Sequence, residues 1–154
     1  MSTSPKGRVT FRIAAVLSAI SAVWELLTLQ VEALLFGAVI GGAAAAAYHV
    51  FYALLFGWLA LGLWRGTRAG YYTVIVAAVI YTADRLQAVV ARDALATFVR
   101  GQFAGREDLL QTIGMDFLLQ SITLMTLVVV ACWWGFVGYA YYRRQYFGFT
   151  GPAG

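Results

Sequence analysis

The sequence predicts an all-α integral membrane protein, a bundle of four transmembrane helices. Three observations predict this fold class. The chain has 154 residues, of which 62% are hydrophobic and only 12% are charged, whereas about 25% of the residues of a soluble protein are charged. Apolar stretches of about 20 residues, the length that crosses the hydrocarbon core, recur along the chain. Arginines cluster in the short segments beside those stretches. We therefore expect one membrane domain over residues 1–154.

The positions of the charged residues predict the orientation of the bundle. Basic residues are enriched in cytoplasmic segments of membrane proteins, and four crossings return the chain to its starting side, so both termini are expected in the cytoplasm. The basic residues expected on that side are Lys6, Arg8, Arg12, Arg65, Arg68, Arg143 and Arg144. The acidic residues, all expected in the outer half or outside, are Glu25, Glu32, Asp84, Asp93, Glu107, Asp108 and Asp116. Because topology accounts for the basic residues, no nucleic-acid partner is indicated.

The first span is predicted at about 12–29, after a short polar lead at the N-terminus. No small-x-small cleavage pattern ends this apolar run, so we expect an uncleaved helix. Ser18, Ser21 and Glu25 fall on one helical face, which is expected to contact protein and not lipid. Residues 30–41 are predicted as an outer loop or interfacial segment, with a longer tilted helix as the alternative.

The second span is predicted at about 43–64. It has no formal charge and ends at Trp64, a residue that suits the membrane interface. Ala45, His49, Ala53 and Gly57 repeat at four-residue spacing, and such a stripe of small residues allows a neighbouring helix to come close. His49, the single histidine of the chain, is therefore expected at a helix interface.

The third and fourth spans are predicted at about 71–91 and 117–142. The third either ends near residue 91 or extends to about residue 100, since the amphipathic pattern beyond residue 91 fits a helix projecting from the bilayer or a separate surface helix. This amphipathic segment is expected on the outer side. For the fourth span, a start as early as residue 107 is the alternative. The glycine-containing tail from Gln145 to Gly154 is predicted to be loosely ordered.

Ionisable residues from three spans form the candidate functional layer. With a helical rise of about 1.5 Å per residue, Glu25, His49 and Asp84 lie at similar depth, about two thirds of the way across the bilayer. Charged groups at such depth normally face the bundle interior and pair with one another. The complete candidate ion path is Glu25, His49, Asp84, Arg85, Tyr52 and Tyr81. A structural role, in which these groups only pin the helices together, remains open.

The sequence gives little indication of a metal, a cofactor or catalysis. Glu25, His49 and Asp84 are weak candidates for a metal-ligand set, without the spacing of a known metal motif. A lone histidine cannot supply bis-histidine haem ligation, and no cofactor is expected. Hydrolase, phosphate-loop and dinucleotide motifs are missing from the sequence, so we expect no catalytic residues. The single cysteine, Cys132, is interpreted as a packed thiol within an apolar helix.

These features predict a small transport or channel-type protein, whose carboxylate–histidine layer binds or passes a proton or small cation. The alternative is a non-catalytic scaffold or accessory subunit of a larger membrane complex, with residues 92–104 contacting the partner. An enzyme acting on a lipid or quinone has the least support. Membrane lipid is the expected surrounding, and small-residue helix faces favour a homo-oligomer or a partner membrane protein. We expect a multi-pass protein of an inner or plasma membrane, and the arginine-rich composition suggests a bacterial source.

Overall fold

The computed structural model describes residues 7–150, which are almost entirely helical. The α-helices are Arg8–Leu27 (α1), Gly42–Arg65 (α2), Arg68–Val90 (α3), Arg92–Gln102 (α4), Glu107–Ile113 (α5) and Met115–Tyr142 (α6). Among these described residues, four helices are long and apolar enough to cross a membrane, namely α1, α2, α3 and α6. The predicted all-helical class with four candidate spans is therefore confirmed.

The four long helices pack as α1 on α2, α2 on α3, and α3 on α6. A short turn joins α2 to α3, the segment with the β-hairpin joins α1 to α2, and α4 and α5 join α3 to α6. One end of the bundle, which we call the arginine end, carries Arg8, Arg65, Arg68 and Arg143 at the ends of the long helices. The opposite end holds α4, α5 and a short β-hairpin, and we call it the hairpin end.

The turn between α2 and α3 explains why these two helices approach so closely. Gly66 takes a left-handed conformation (φ 63°) that ends α2, and the side chain of Thr67 accepts a hydrogen bond from the backbone N–H of Gly70 at 3.1 Å to begin α3. Directly above the turn, Gly62 of α2 lies against Gly70 of α3, where an added Cβ at Gly62 would be 2.5 Å from the Cα of Gly70. Only residues without a side chain fit this crossing.

Residues 30–41 contain a β-hairpin, which the sequence analysis did not predict. Strands Ala33–Leu35 (β1) and Ala38–Ile40 (β2) pair antiparallel, with Leu35 opposite Ala38. Phe36 and Gly37 form a two-residue turn in which both φ angles are positive (50° and 76°), as a type I′ turn requires. The alternative of a longer tilted helix is therefore wrong, since α1 ends at Leu27.

Two predicted helix extensions are also wrong. Helix α3 stops at Val90 because Ala91 leaves the helical conformation (φ −82°, ψ 59°), and α4 is a separate helix. Gly114, with φ 86°, likewise separates α5 from α6, so the fourth long helix does not begin near residue 107. The apolar side of α4 is covered within the chain, because Leu95 and Val99 are buried against Leu34 of the hairpin and Leu119 of α6.

The prediction of a loosely ordered tail is wrong for residues 145–150. Arg144–Phe147 forms a 3₁₀-helix (η1), and the side chain of Phe147 is 1% exposed. The ring of Tyr146 stacks on Phe11 of α1 at 4.6 Å between centroids, and its hydroxyl donates a hydrogen bond to the carbonyl oxygen of Leu63 at 2.7 Å. Burial raises the pKa of this phenol, which keeps it protonated as a donor. Residues 151–154, and residues 1–6 of the predicted polar lead, lie outside the described residues.

Candidate functional site

A carboxylate and an imidazole meet where α1 packs against α2 near the hairpin end. The Nδ1 atom of His49 lies 2.6 Å from Oε2 of Glu25, and its Nε2 atom lies 3.0 Å from the backbone carbonyl oxygen of Val31. The histidine is 7% exposed and the side chain of the glutamate 17%. His49 follows the small residue Ala45 by one turn, so it faces the helix interface as the spacing predicts.

The hydrogen bonds of His49 determine where its protons lie. A carbonyl oxygen can only accept, so Nε2 must carry a proton and donate it to Val31. A neutral imidazole has one N–H, which leaves Nδ1 unprotonated unless the ring is charged. The 2.6 Å contact therefore holds a second proton, either on Nδ1 as imidazolium or on the carboxyl of Glu25. In both forms the Glu25–His49 pair has bound one proton and has a net charge of zero.

A second polar pair joins α2 to α3 beside the first. The hydroxyl of Tyr48 donates a hydrogen bond to Oδ2 of Asp84 at 3.0 Å, and the Nε atom of Arg85 lies 3.6 Å from the same oxygen. The side chain of Asp84 is only 8% exposed, whereas that of Arg85 is 40% exposed. The guanidinium of Arg85 lies over the ring of Tyr81, 4.9 Å from its centroid. The negative charge of Asp84 and the positive charge of Arg85 thus also give a net charge of zero.

One cavity of about 330 Å³ connects these two pairs. Its wall includes Glu25, His49, Tyr48, Asp84 and Arg85. The remaining wall comes from the end of α1, the loop after it, which includes Glu32, the first hairpin strand, the last turn of α3, α4 and α6. Buried charges are costly in an apolar environment unless they are paired, and here Glu25 shares a proton with His49 while Asp84 faces Arg85. The arrangement puts a pair that can hold a proton and a second carboxylate, Asp84, in the wall of one cavity.

Four of the six predicted ion-path residues, Glu25, His49, Asp84 and Arg85, line this cavity. Tyr81 does not line it but contacts Arg85. Tyr52 lies one turn from Tyr48, with 4.9 Å between the ring centroids, and lines an adjoining cavity.

Sequence reasoning missed Tyr48 and the carbonyl of Val31. A signal for Tyr48 existed, because it directly precedes His49 and stands one helical turn before Tyr52. The Val31 contact depends on the fold of the segment after α1, for which no residue pattern was available.

The adjoining cavity, of about 560 Å³, lies between α2, α3 and the hairpin. Tyr48 and Asp84 line both cavities, so the hydrogen bond between them forms part of the wall that separates the two spaces. Glu25, His49 and Arg85 are not among the residues that line this second space.

The weak metal-ligand candidates do not form a metal site within residues 7–150. In this part of the chain, no group of three or more His, Cys, Asp or Glu side chains is close enough together to hold a metal ion. Glu25 and His49 form one contact, while Asp84 bonds to Tyr48 and Arg85 instead.

Cys132, predicted as a packed thiol, is instead exposed on α6.

Comparison with known proteins returns no relative. No protein family, no curated protein and no solved structure matches this chain.

Proposed function

We propose that this chain is a small membrane protein of the transport type, in which the Glu25–His49 pair binds a proton and passes it through the bundle. The observation that carries this proposal is the 2.6 Å contact between Nδ1 of His49 and Oε2 of Glu25, with Nε2 already occupied by a carbonyl oxygen. A pair that must bind a proton to complete its hydrogen bonds is a proton-binding site.

Asp84 is the next group in the proposed path. It lines the same cavity as Glu25 and His49, and its Oδ2 atom is linked to Tyr48, the neighbour of His49. A cavity of this size with several polar groups in its wall has room for water, which carries protons between groups beyond direct contact. A proton fits this site better than a small metal cation, since the described residues offer no three-ligand cluster.

Proton flux into liposomes tests the proposal. Purified protein is reconstituted into vesicles that contain a pH-sensitive dye, and a potassium diffusion potential drives protons inward. The wild-type protein is expected to acidify the lumen faster than empty vesicles do. In the Glu25→Gln variant, the glutamine has a similar shape but cannot bind and release the proton that Glu25 shares with His49. The flux of this variant is expected to fall by about a hundredfold, the usual contribution of a positioned proton-transfer group.

Glu107→Gln is the matched control for this experiment, because Glu107 begins the short helix α5, outside the four long helices. Its flux is expected to equal that of the wild type. Wild-type vesicles that acidify no faster than empty vesicles, or a Glu25→Gln protein with full flux, contradict the proposed function.

The proposed orientation puts the arginine end in the cytoplasm and the hairpin end outside, in a plasma membrane. The support is the gathering of Arg65, Arg68 and Arg143 at one end of the long helices, since basic residues favour the cytoplasmic side. In this orientation the amphipathic helix α4 lies on the outer side and both chain ends lie inside.

The proposal includes a homo-oligomer formed through α6. Gly135 and Gly138 lie one turn from each other, and within the described residues an added Cβ at either would meet nothing within 4 Å. Ala131 of the same helix is exposed. Small residues allow close helix contact in membranes, and this surface is left unused within the chain.

Gly138→Leu is expected to reduce the oligomer without damaging the monomer. A leucine at this position has open space within the chain but prevents close approach of a second helix. Chemical cross-linking in native-like membranes, followed by size analysis, measures the result. Gly57→Leu, at a position of α2 with equally open surroundings, is the control. An unchanged cross-linking pattern in Gly138→Leu contradicts the proposed interface, and cross-links to a different protein would indicate the scaffold role instead.

A further inference from the structure

The cavity beside the Glu25–His49 pair is covered by apolar residues from the elements at the hairpin end. Leu34 of β1 and both Leu95 and Val99 of α4 line this cavity. These three side chains pack together, and each is at most 9% exposed. Such a cover is a barrier to proton entry, because a charge without polar partners is costly in an apolar environment.

Glu32 interrupts this apolar cover. It belongs to the loop between α1 and β1, it is exposed, and it also lines the cavity. The other residues of the wall with a formal charge are Glu25, Asp84 and Arg85, which all belong to the long helices α1 and α3. The loop, the hairpin and α4 together contribute one charged residue to the wall, and this is Glu32. It therefore connects the exposed surface to the cavity of the buried pair.

The loop that carries Glu32 also contacts the histidine of the pair. The preceding residue, Val31, provides the carbonyl oxygen that accepts the hydrogen bond from Nε2 of His49 at 3.0 Å. On its other side, Glu32 lies close to two glycines. A Cβ added at Gly101 of α4 would be 3.9 Å from Oε2 of Glu32, and one added at Gly41 would be 3.8 Å from its Cγ. The carboxylate is thus held between α4 and the beginning of α2.

The carboxylate of Glu32 is not neutralised by a neighbour. Within residues 7–150 it takes part in no ion pair. The charged residues of α4 do not line the cavity, and they are Arg92, Asp93 and Arg100. Negative charge at the entrance of a cleft raises the local concentration of cations and their rate of arrival by about 10–1,000-fold. A carboxylate in this position therefore favours the arrival of protons.

We propose that Glu32 collects protons at the outer entrance of the cavity, and that the Glu25–His49 pair takes them up from there through water in the cavity. This inference rests on the proposed proton-transport function. It adds the residue at which protons enter and the end of the bundle from which they come.

Restoring the negative charge from one side of the membrane tests the proposal. Glu32→Cys is combined with Cys132→Ser, so that the chain has a single thiol, and flux is measured in dye-loaded vesicles. At an external pH of about 8, where protons are scarce, the flux is expected to be about tenfold lower than in the Cys132→Ser protein. At about pH 5.5, where proton arrival no longer limits the rate, the two proteins are expected to have equal flux.

Methanethiosulfonate reagents that do not cross the membrane then modify molecules whose hairpin end faces outward. The 2-sulfonatoethyl reagent adds a negative charge and is expected to raise the flux of Glu32→Cys at about pH 8 by about fivefold, since only outward-facing molecules react. The 2-(trimethylammonio)ethyl reagent adds a positive charge and is expected to give no recovery. Glu107→Cys in the same background is the matched control, because Glu107 is exposed at the hairpin end but does not line the cavity. Its flux is expected to equal that of the Cys132→Ser protein with either reagent.

The possible results separate this inference from the proposed function. Glu32→Cys with undiminished flux at about pH 8 would show that protons do not enter at this residue. A loss that is equal at both pH values, that the anionic reagent does not reverse, or that both reagents reverse equally would indicate a structural role and overturn the inference. If the wild-type protein itself carries no flux, the proposed function fails, and this inference fails with it.

Discussion

Vesicles that carry the His49→Gln variant are expected to lose proton flux by about a hundredfold. Glutamine can still donate a hydrogen bond to the carbonyl of Val31, but its amide does not take up a proton at physiological pH. The 2.6 Å link to Glu25 then has no shared proton to transfer. Flux is measured in the same dye-loaded vesicles as above, and size-exclusion chromatography in detergent checks that the variant folds.

The double variant Glu25→Gln with His49→Gln provides the sharper result. If the two residues act as one proton-binding unit, removing both is expected to cost no more flux than removing either, because effects within a unit are not additive. If the two residues contributed independently, the fold-losses of flux in the two single variants would instead multiply in the double variant. A folded His49→Gln protein with wild-type flux would show that the histidine only pins α1 to α2, which is the structural alternative for this layer.

Gly70→Ala is expected to lower the free energy of unfolding by about 1–3 kcal/mol, the usual cost of overpacking a tight contact. A methyl group at Gly70 would overlap the backbone carbonyl of Gly62 in α2. This collision involves backbone on both sides, so no side-chain rotation relieves it and the two helices must move apart. Denaturation in mixed detergent micelles, followed by circular dichroism, measures the change.

Gly57→Ala is the matched control for this prediction. Gly57 belongs to the same α2 helix, but in the described structure an added Cβ there meets nothing within 4 Å. Because alanine is the better helix former by about 1 kcal/mol, this variant is expected to be as stable as the wild type or slightly more so. Equal stability of Gly70→Ala and Gly57→Ala would contradict the proposed close crossing of α2 and α3.

The long helices were predictable because their signal is strong and local. An uncharged stretch such as Ala43–Trp64 needs only length and composition to be recognised as a candidate span. The hairpin was not predictable by the same means, because Phe36 replaces the Asn or Gly that normally marks a type I′ turn. The ordered tail was missed for a related reason. Tyr146 and Phe147 are held by aromatic contacts with Phe11, a residue at the other end of the chain.

In the candidate site, too, the depth of the residues could be predicted from the sequence but their contacts could not. Helical rise alone predicted that Glu25, His49 and Asp84 share one level, and all three line one cavity. Which group bonds to which depends on helix rotation and on side-chain direction, neither of which composition reveals. The pairing of Asp84 with Tyr48 is an example, since nothing in the spacing of α3 favours Tyr48 over the histidine beside it.

The aromatic contacts of Phe11 have a consequence for the order in which the chain assembles. Phe11 is close to the beginning of the chain and fully buried, yet several rings around it, those of Phe136, Tyr139, Tyr146 and Phe147, come from its last part. A ribosome makes the chain from its N-terminus and therefore releases Phe11 well before these rings. The helix that carries Phe11 therefore obtains its complete set of neighbours only after α6 and η1 have been made.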